Sequence, residues 1–439
     1  MKKLLSLENY IYLVVFFLPA YLIKANIFGM PTNILEIFIA VAFVWAILAK
    51  INVKNLVNFL TPGLKIAILL VLAGLIASAL ANHSYAGGFG IIKGWFLFPL
   101  AFAVLAKNIV PEEKKENFFL ALYLSALAVS AAGLAHYFLG QVTFDGRVQG
   151  IFNSPNYLAM YLAPALIIGL SFFNSGKFRK YLFIYVLSYG LILAVFYLTY
   201  SYAAWAALAC VSIFIIFFRS NSRIKFKKII IVSALALLIL LSQWSNPKFR
   251  DLVSIQERSS LESRIMVWRA AQKIIADNWF LGTGPGNFQE KYLEYQKHFP
   301  PYLEWAVPHP HSLWLSFWLS SGMLGLAGFA GLVIVWIRKI APKALTQNNS
   351  CISRPASRHL CLKNSSQDLD ILRNFLNKSD ANPNTDCTNY FMTVPKEKNA
   401  IWYASAGIMA YILLHGTVDT TYFKNDLAVI FWINFFMRL

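Results

Sequence analysis

YLFIYVLSYGLILAVFYLTYSYAAWAALACVSIFIIFF, residues 181–218, contains no charged side chain. As one helix it would extend roughly 57 Å at 1.5 Å per residue, nearly twice the ~30 Å hydrocarbon core of a bilayer. The stretch therefore crosses, turns and crosses back, and the turn falls near Thr199–Tyr202, where polar groups gather. It divides into spans at 181–199 and 201–218. Working outward, the same criterion gives spans near 8–26, 32–49, 66–82, 88–106, 117–139, 156–173, 228–243, 311–337, 400–418 and 425–437. The expected fold is all-α, a polytopic integral membrane protein of about twelve transmembrane helices. Barrel strands would alternate apolar and polar residues, and these runs do not. No small-residue cleavage site follows the first span, which reads as an anchor.

Hydrophobic residues form 58% of the 439-residue chain and charged residues 13%, about half the ~25% charge of a soluble protein. The net charge of +19 would suit nucleic acid, but its placement argues otherwise. Lys and Arg crowd the N-terminal tail and the loops at 50–65, 107–116, 174–180 and 219–228. The alternate short loops hold only Lys24, Arg147 and Lys424. This is the positive-inside pattern. It puts both termini in the cytosol and makes the lipid bilayer, not nucleic acid, the partner of the basic loops. Cys210 lies in a span. Cys351, Cys361 and Cys387 fall in a loop placed inside, where thiols stay reduced, and their spacing fits no zinc pattern.

The chain thus divides into transmembrane helices 1–9 over 1–243, an extracytoplasmic loop over 244–310 and a tenth helix over 311–338. A cytosolic low-complexity insertion follows over 339–399, and the last two helices occupy 400–439. The insertion turns abruptly to Asn, Ser, Lys and Asp and lacks an apolar period, apart from a short helix expected around Leu369–Leu376.

The 244–310 loop differs. Ser259 with Glu262 makes a capping box, so a helix is expected over about 260–278. At about 100° per residue, Leu261, Ile265, Trp268, Ala271 and Ile275 form one apolar stripe, with Glu262, Arg269 and Lys273 opposite. Arg264 falls inside the stripe, one turn before Trp268. Arginine on a packed face needs an anion or a carboxylate partner, or it snorkels to lipid headgroups. The Gly282-Thr283-Gly284-Pro285-Gly286-Asn287-Phe288 run lacks the preceding strand of a phosphate-binding fingerprint and reads as a helix-stopping turn.

His309-Pro310-His311 then leads into the tenth span. Two imidazoles at i and i+2 suit a metal only with further ligands, and no carboxylate or cysteine nearby has convincing ligand spacing. A structural boundary role and general-base chemistry remain open for them. On the same face lie Arg147, just before Asn153-Ser154-Pro155-Asn156, and Lys93, in the outer half of the fourth span, where a charge often marks function. His415 and Asp419, one turn apart, end the eleventh span.

These motifs together resemble the O-antigen ligase and polymerase superfamily of bacterial envelope glycan assembly. The carrying residues are Arg264-x-x-x-Trp268, Leu281 through Phe288, His309-Pro310-His311-Ser312-Leu313, Ser321-Gly322-Met323-Leu324-Gly325-Leu326, and, upstream, Gly150 through Ala159. The resemblance is clearest over 260–330. It implies an inverting, metal-independent glycosyltransferase of the bacterial inner membrane, without a cofactor, active on the outward face. The donor would be an undecaprenyl-diphosphate-linked glycan and the acceptor lipid A–core, another glycan or protein, as in lipopolysaccharide or polysaccharide biosynthesis. His311 matches the histidine expected to activate the acceptor, with His309 as the fallback, and Arg264 matches the arginine expected at the diphosphate. Two departures stand out. Ser312 follows the second histidine where the family usually has Asn, and Tyr202 stands where members commonly carry an arginine. Arg147 or Lys93 is then a substitute contact. A transporter of a small anion or of a lipid-linked glycan is the alternative, but it should show paired repeats or midplane polar features, and none is visible.

Overall fold

The computed structural model describes residues 6–27, 30–51, 57–173, 181–219, 222–244, 249, 260–300, 305–340 and 396–437. Ser259 of the expected capping box, Cys351, Cys361 and Cys387, and the helix expected around Leu369–Leu376 lie outside these residues.

The chain is mostly helical. In order, α1 is Leu7–Phe16, α2 Ile34–Leu48, α3 Pro62–Ala81, α4 Ala86–Ile109, α5 Lys115–Phe138 and α6 Pro155–Phe172. Next come α7 Leu182–Leu198, α8 Tyr202–Arg219, α9 Ser222–Ser242, α10 Ser260–Asp277, α11 Phe288–Tyr295, α12 Leu313–Ile340, α13 Lys396–His415 and α14 Asn425–Met437. Among the described residues, five helices are long and apolar enough to cross a membrane: α3, α4, α5, α6 and α12. Six more apolar helices of 10–17 residues accompany them. At 1.5 Å per residue the shorter ones do not reach across ~30 Å unaided. Among the described residues two strands also pair: β1 (Lys24–Ile27) runs antiparallel to β2 (Met30–Asn33), with Lys24 opposite Asn33.

Local sequence explains the helix starts that matter here. The Ser154 hydroxyl accepts from the Asn156 N–H at 3.2 Å, and Pro155 occupies the first turn of α6, where its missing N–H costs nothing. Asn33 caps α2 by accepting from the Glu36 N–H at 3.0 Å.

α14 has no exposed face. All of its described residues are buried, Asn425, Asp426 and Asn434 included, so it is a core helix, and it fixes the loop that precedes it. α6 is nearly as enclosed, being buried from Leu158 to Gly169. α12 meets α3 along small residues. A methyl group added to Gly74 would stand 2.5 Å from the Gly325 nitrogen, and one added to Gly328 2.6 Å from the Val71 nitrogen. The two backbones therefore approach as closely as small-residue helix interfaces in membranes allow.

α12 breaks at Gly322 (φ 63°). There the glycine turn docks, as Thr283 N–H donates to the Leu319 carbonyl at 2.7 Å and Met323 N–H to the Phe280 carbonyl at 3.0 Å. Gly282 (φ 71°) tolerates no side chain, since its Cβ would strike the Leu319 carbonyl oxygen. The glycines of this run therefore seat a turn against a kinked helix.

Candidate functional site

Five segments converge at one end of the helices. They are the N-terminus of α6, helix α10, the loop 305–312, the loop 416–424 and the loop 139–154. Between them lies a cavity of about 370 Å³, walled by Asn156, Tyr157, His309, His311, Asp419 and Lys424, with Trp95, Phe288 and Phe423 as aromatic lining.

Asp419 is the hub. It is 1% exposed, and each of its oxygens has two partners. Oδ1 accepts from the Thr420 N–H at 2.8 Å and faces His311 Nδ1 at 3.4 Å. Oδ2 accepts from Asn156 Nδ2 at 3.2 Å and Arg264 Nη2 at 3.3 Å. Burial by itself would raise this carboxyl, but the hydrogen bond and charge of His311 and the charge of Arg264 overrule it. They hold the group well below the ordinary carboxylate range. A carboxylate only accepts, so the proton between it and His311 belongs to Nδ1. The Nε2 of a neutral His311 then keeps its lone pair.

The spacing of Arg264 and Trp268 follows from the helix. Residues four apart share a face, and the two side chains reach the same cluster. Arg264 meets Asp419, and Trp268 Nε1 donates to the His311 carbonyl at 3.2 Å. That bond steadies a backbone in the left-handed region (φ 46° at His311), uncommon for a non-glycine and often found at functional sites. The apolar stripe read from sequence is turned in the structure. α10 packs through Met266, Val267, Ala270, Ala271, Ile274 and Ile275, so Ala271 and Ile275 of that stripe are buried, whereas Leu261 is 40% exposed. Small residues make the tight side, and Arg264 and Trp268 flank it. Arg269 is exposed.

His309 stacks on Tyr157 (centroids 6.0 Å, 17°) and shares a 3.1 Å hydrogen bond between its Nε2 and the Tyr157 hydroxyl. Its ring centroid lies 4.7 Å from that of His311. Burial, and then the charge of His311, pushes His309 down to about 3, so it is neutral near pH 7. His415 is buried and bonds the Tyr411 hydroxyl at 2.9 Å, away from the cavity.

The remaining sequence candidates divide. Arg147 joins the site from behind. Its Nη2 donates to Asn156 Oδ1 at 2.7 Å and its Nε to the Thr199 carbonyl at 2.7 Å. Burial lowers it from the ordinary guanidinium range, and Asp145 counters that. Tyr202 does not line the cavity. Its ring packs edge-on against Trp205 and Phe249. Lys93 is not brought to the cavity wall. It sits on a π-helical turn of α4 (Ile92–Leu97), pairs with Glu36 at 2.9 Å and donates to the Pro31 carbonyl at 2.7 Å. The span charge that drew notice is neutralised by an acid on α2.

Asp419 carried no role in the sequence reading beyond its place one turn after His415. Asn156 was visible only as part of a helix start, and Lys424 only as a rare cation among the short loops. His309, His311 and Asp419 could together offer ligand atoms within 4.8 Å of one another to a metal ion. Both Asp419 oxygens already have partners, Oδ2 among them the Arg264 guanidinium.

Fold and site define a helical membrane protein with a charged, partly enclosed cavity at the mouths of its helices. The O-antigen ligase family model matches residues 187–330, a stretch that includes Tyr202, Arg264, His309 and His311. The match supports the chain's place in the O-antigen ligase superfamily, whose members are ligases or polymerases in membrane glycan processing. No curated protein matches the chain at a significant level.

Proposed function

We propose that this cavity transfers a glycan from an undecaprenyl-diphosphate carrier to an acceptor hydroxyl, by one inverting displacement and without a metal. The observation that carries the reading is the pairing of His311 with Asp419 beside Arg264, on a cavity walled by other polar groups.

In this reading His311 Nε2 takes the proton of the acceptor hydroxyl. The acceptor oxygen bonds to the anomeric carbon as the bond from that carbon to the diphosphate oxygen breaks, and the electron pair leaves with the diphosphate. Asp419 stabilises the imidazolium that forms, and Arg264 stabilises the growing diphosphate charge. One Arg264 contact to Asp419 leaves further N–H groups of its fork for phosphate oxygens. A diphosphate is a good leaving group, so positioning and charge stabilisation carry most of the catalysis, and the base adds about 10²–10⁴-fold. Asn156 and Arg147 hold Asp419 in place.

The same proposal takes the chain as twelve spans in the bacterial inner membrane, with both termini in the cytosol. The 244–310 loop and the cavity then face outward, where the lipid-linked donor is presented. The loop charge pattern supports this, as do six shorter apolar helices beside the five longer ones. Ligase-type and polymerase-type transfer share this donor chemistry and differ only in the acceptor.

The test is transfer in reconstituted membranes with purified lipid-linked donor and a candidate acceptor, followed by assignment of the product's anomeric configuration. Released undecaprenyl diphosphate and an inverted linkage are expected. Donor movement across the bilayer without any glycan transfer would overturn the reading in favour of transport.

A further inference from the structure

Three of the cations at this end of the molecule are matched by anions. Lys93 pairs with Glu36 at 2.9 Å, Arg264 with Asp419 at 3.3 Å, and Arg147 lies 3.8 Å from Asp145. Lys424 is not. It lines the cavity, is partly buried and stands 4.6 Å from the centroid of the Tyr157 ring. Among the described residues it forms no ion pair. The adjacent acid, Asp426, instead turns Oδ1 to the Leu427 N–H at 2.9 Å.

A half-buried ammonium without a counter-ion is costly to hold. Burial lowers Lys424 below the ordinary ammonium range, the charge of Asp426 opposes that shift, and the charge of Lys24 adds to it. Two of the three cations on the charge-poor set of short loops, Lys24 and Lys424, are thus close enough to repel each other. The positive-inside rule disfavours such charges on that face, and a snorkelling lysine would not need to enter a cavity. The aromatic support at Tyr157 keeps the ammonium aimed and adds a cation–π contact, and Tyr157 in turn stacks on His309, next to His311.

We propose that Lys424 is the second diphosphate-binding cation of this site, holding a phosphate oxygen of the lipid-linked donor together with Arg264. This rests on the diphosphate-donor reading above. It adds a compact ammonium on the cavity wall to the planar fork of Arg264, which stands at the site through Asp419. With both engaged, the sugar lies towards His311. Lys424 is a binding and positioning residue here and takes no part in proton transfer.

The experiment uses the full-length protein in phosphatidylcholine nanodiscs, with farnesyl diphosphate as the probe and farnesol as the uncharged control. Lys424→Gln should weaken farnesyl diphosphate binding about tenfold or more, the loss of one charge-assisted contact. Lys424→Arg should keep most of the affinity, and farnesol binding should not change. In the transfer assay the Gln variant should raise the donor KM far more than it lowers kcat. If the Gln variant does not fold, lysine acetylation of the wild type read by mass spectrometry decides the matter, because farnesyl diphosphate should protect Lys424. Unchanged probe affinity in Lys424→Gln, or equal acetylation with and without probe, overturns the proposal. So does equal protection by phosphatidylglycerol nanodiscs without probe, which would make Lys424 a headgroup contact. Probe binding through Lys424 without any glycan transfer would sink the transferase reading and leave this one standing. Normal transfer with an unaltered donor KM in the Gln variant would do the reverse.

Discussion

Arg264 Nη2 and Asp419 Oδ2 lie 3.3 Å apart across 155 residues of sequence, joining helix α10 to the loop between α13 and α14. The pair holds a guanidinium behind Asp419, itself on the cavity wall, with its charge partly balanced. Arg264→Ala should abolish transfer, and Arg264→Lys should rescue little, because an ammonium lacks the planar fork. Arg269, exposed on the same helix, should tolerate Ala with near-normal turnover. Transfer rates of the three variants, with membrane-extracted yield as the folding control, check this. A larger loss in Arg269→Ala than in Arg264→Ala would refute the helix-face assignment.

Asp419→Asn removes the charge that His311 and Arg264 share. Transfer should drop by about 10²-fold or more, since the imidazole loses both orientation and stabilisation. Stability should also drop by about 3 kcal/mol, the low end for breaking a buried pair, as the Arg264 side chain keeps 17% exposure. The sign with pH follows from a folded carboxyl held below its unfolded value. Its stabilisation is present above the unfolded value of about 3.9 and is lost as pH falls further. Melting curves in detergent should show the gap between wild type and Asp419→Asn narrowing only below about pH 4.

His309 has the same sign in a higher pH window. Burial lowers its folded value to about 3, while an unfolded imidazole titrates near 6.5. Between those limits the unfolded chain binds a proton that the folded one refuses, so stability rises with pH, by up to about 1.4 kcal/mol per unit. Wild-type melting temperature should fall as pH drops from about 6.5, and His309→Gln should flatten that slope. An unchanged slope in the variant would show that His309 is solvated and not held neutral by burial.

The sequence was most legible where the chemistry is local. The α6 start is written in Ser154-Pro155-Asn156, and the four-residue spacing of Arg264 and Trp268 does put both on the cluster. Long-range partners were not legible. Lys93 looked like an unmatched span charge because Glu36, which neutralises it, lies on another helix. Asp419 and Lys424 belong to a loop whose place beside His309 and His311 is set by α14, buried on every side, and by the Leu313 N–H to Gly416 carbonyl bond at 2.7 Å. The α10 stripe was legible in Ala271 and Ile275, which are buried, but hydrophobicity also picked the exposed Leu261 and passed over the small Ala270.

Orientation in the membrane is open to direct labelling. In a background without the native cysteines, Glu290→Cys, exposed on α11, should react with a membrane-impermeant thiol reagent in whole cells. Ser365→Cys, in the polar insertion, should react only after lysis. The reverse pattern would turn the cavity to the cytosol, where the proposed donor chemistry would have to be abandoned.

His311 separates a catalytic site from a structural one. Its Nδ1 faces Asp419, its carbonyl is held by Trp268, and its backbone sits at φ 46°. The side chain is therefore aimed by groups on two other segments. If Nε2 takes the acceptor proton, His311→Ala should lower turnover by about 10²-fold or more while leaving donor affinity near normal, because the diphosphate contacts lie elsewhere. His309→Ala should cost less, since His309, pushed down to about 3, is too weak a base near pH 7 and meets Tyr157 instead. His311→Gln is the informative companion, since it can still donate to Asp419 but lacks a basic nitrogen. It should fold like wild type and remain as inactive as the alanine variant. The measurement is single-turnover transfer with saturating lipid-linked donor, alongside donor binding for each variant. Turnover preserved in His311→Gln would mean that the residue only organises Asp419 and the loop, and the base would have to be sought elsewhere on the cavity wall.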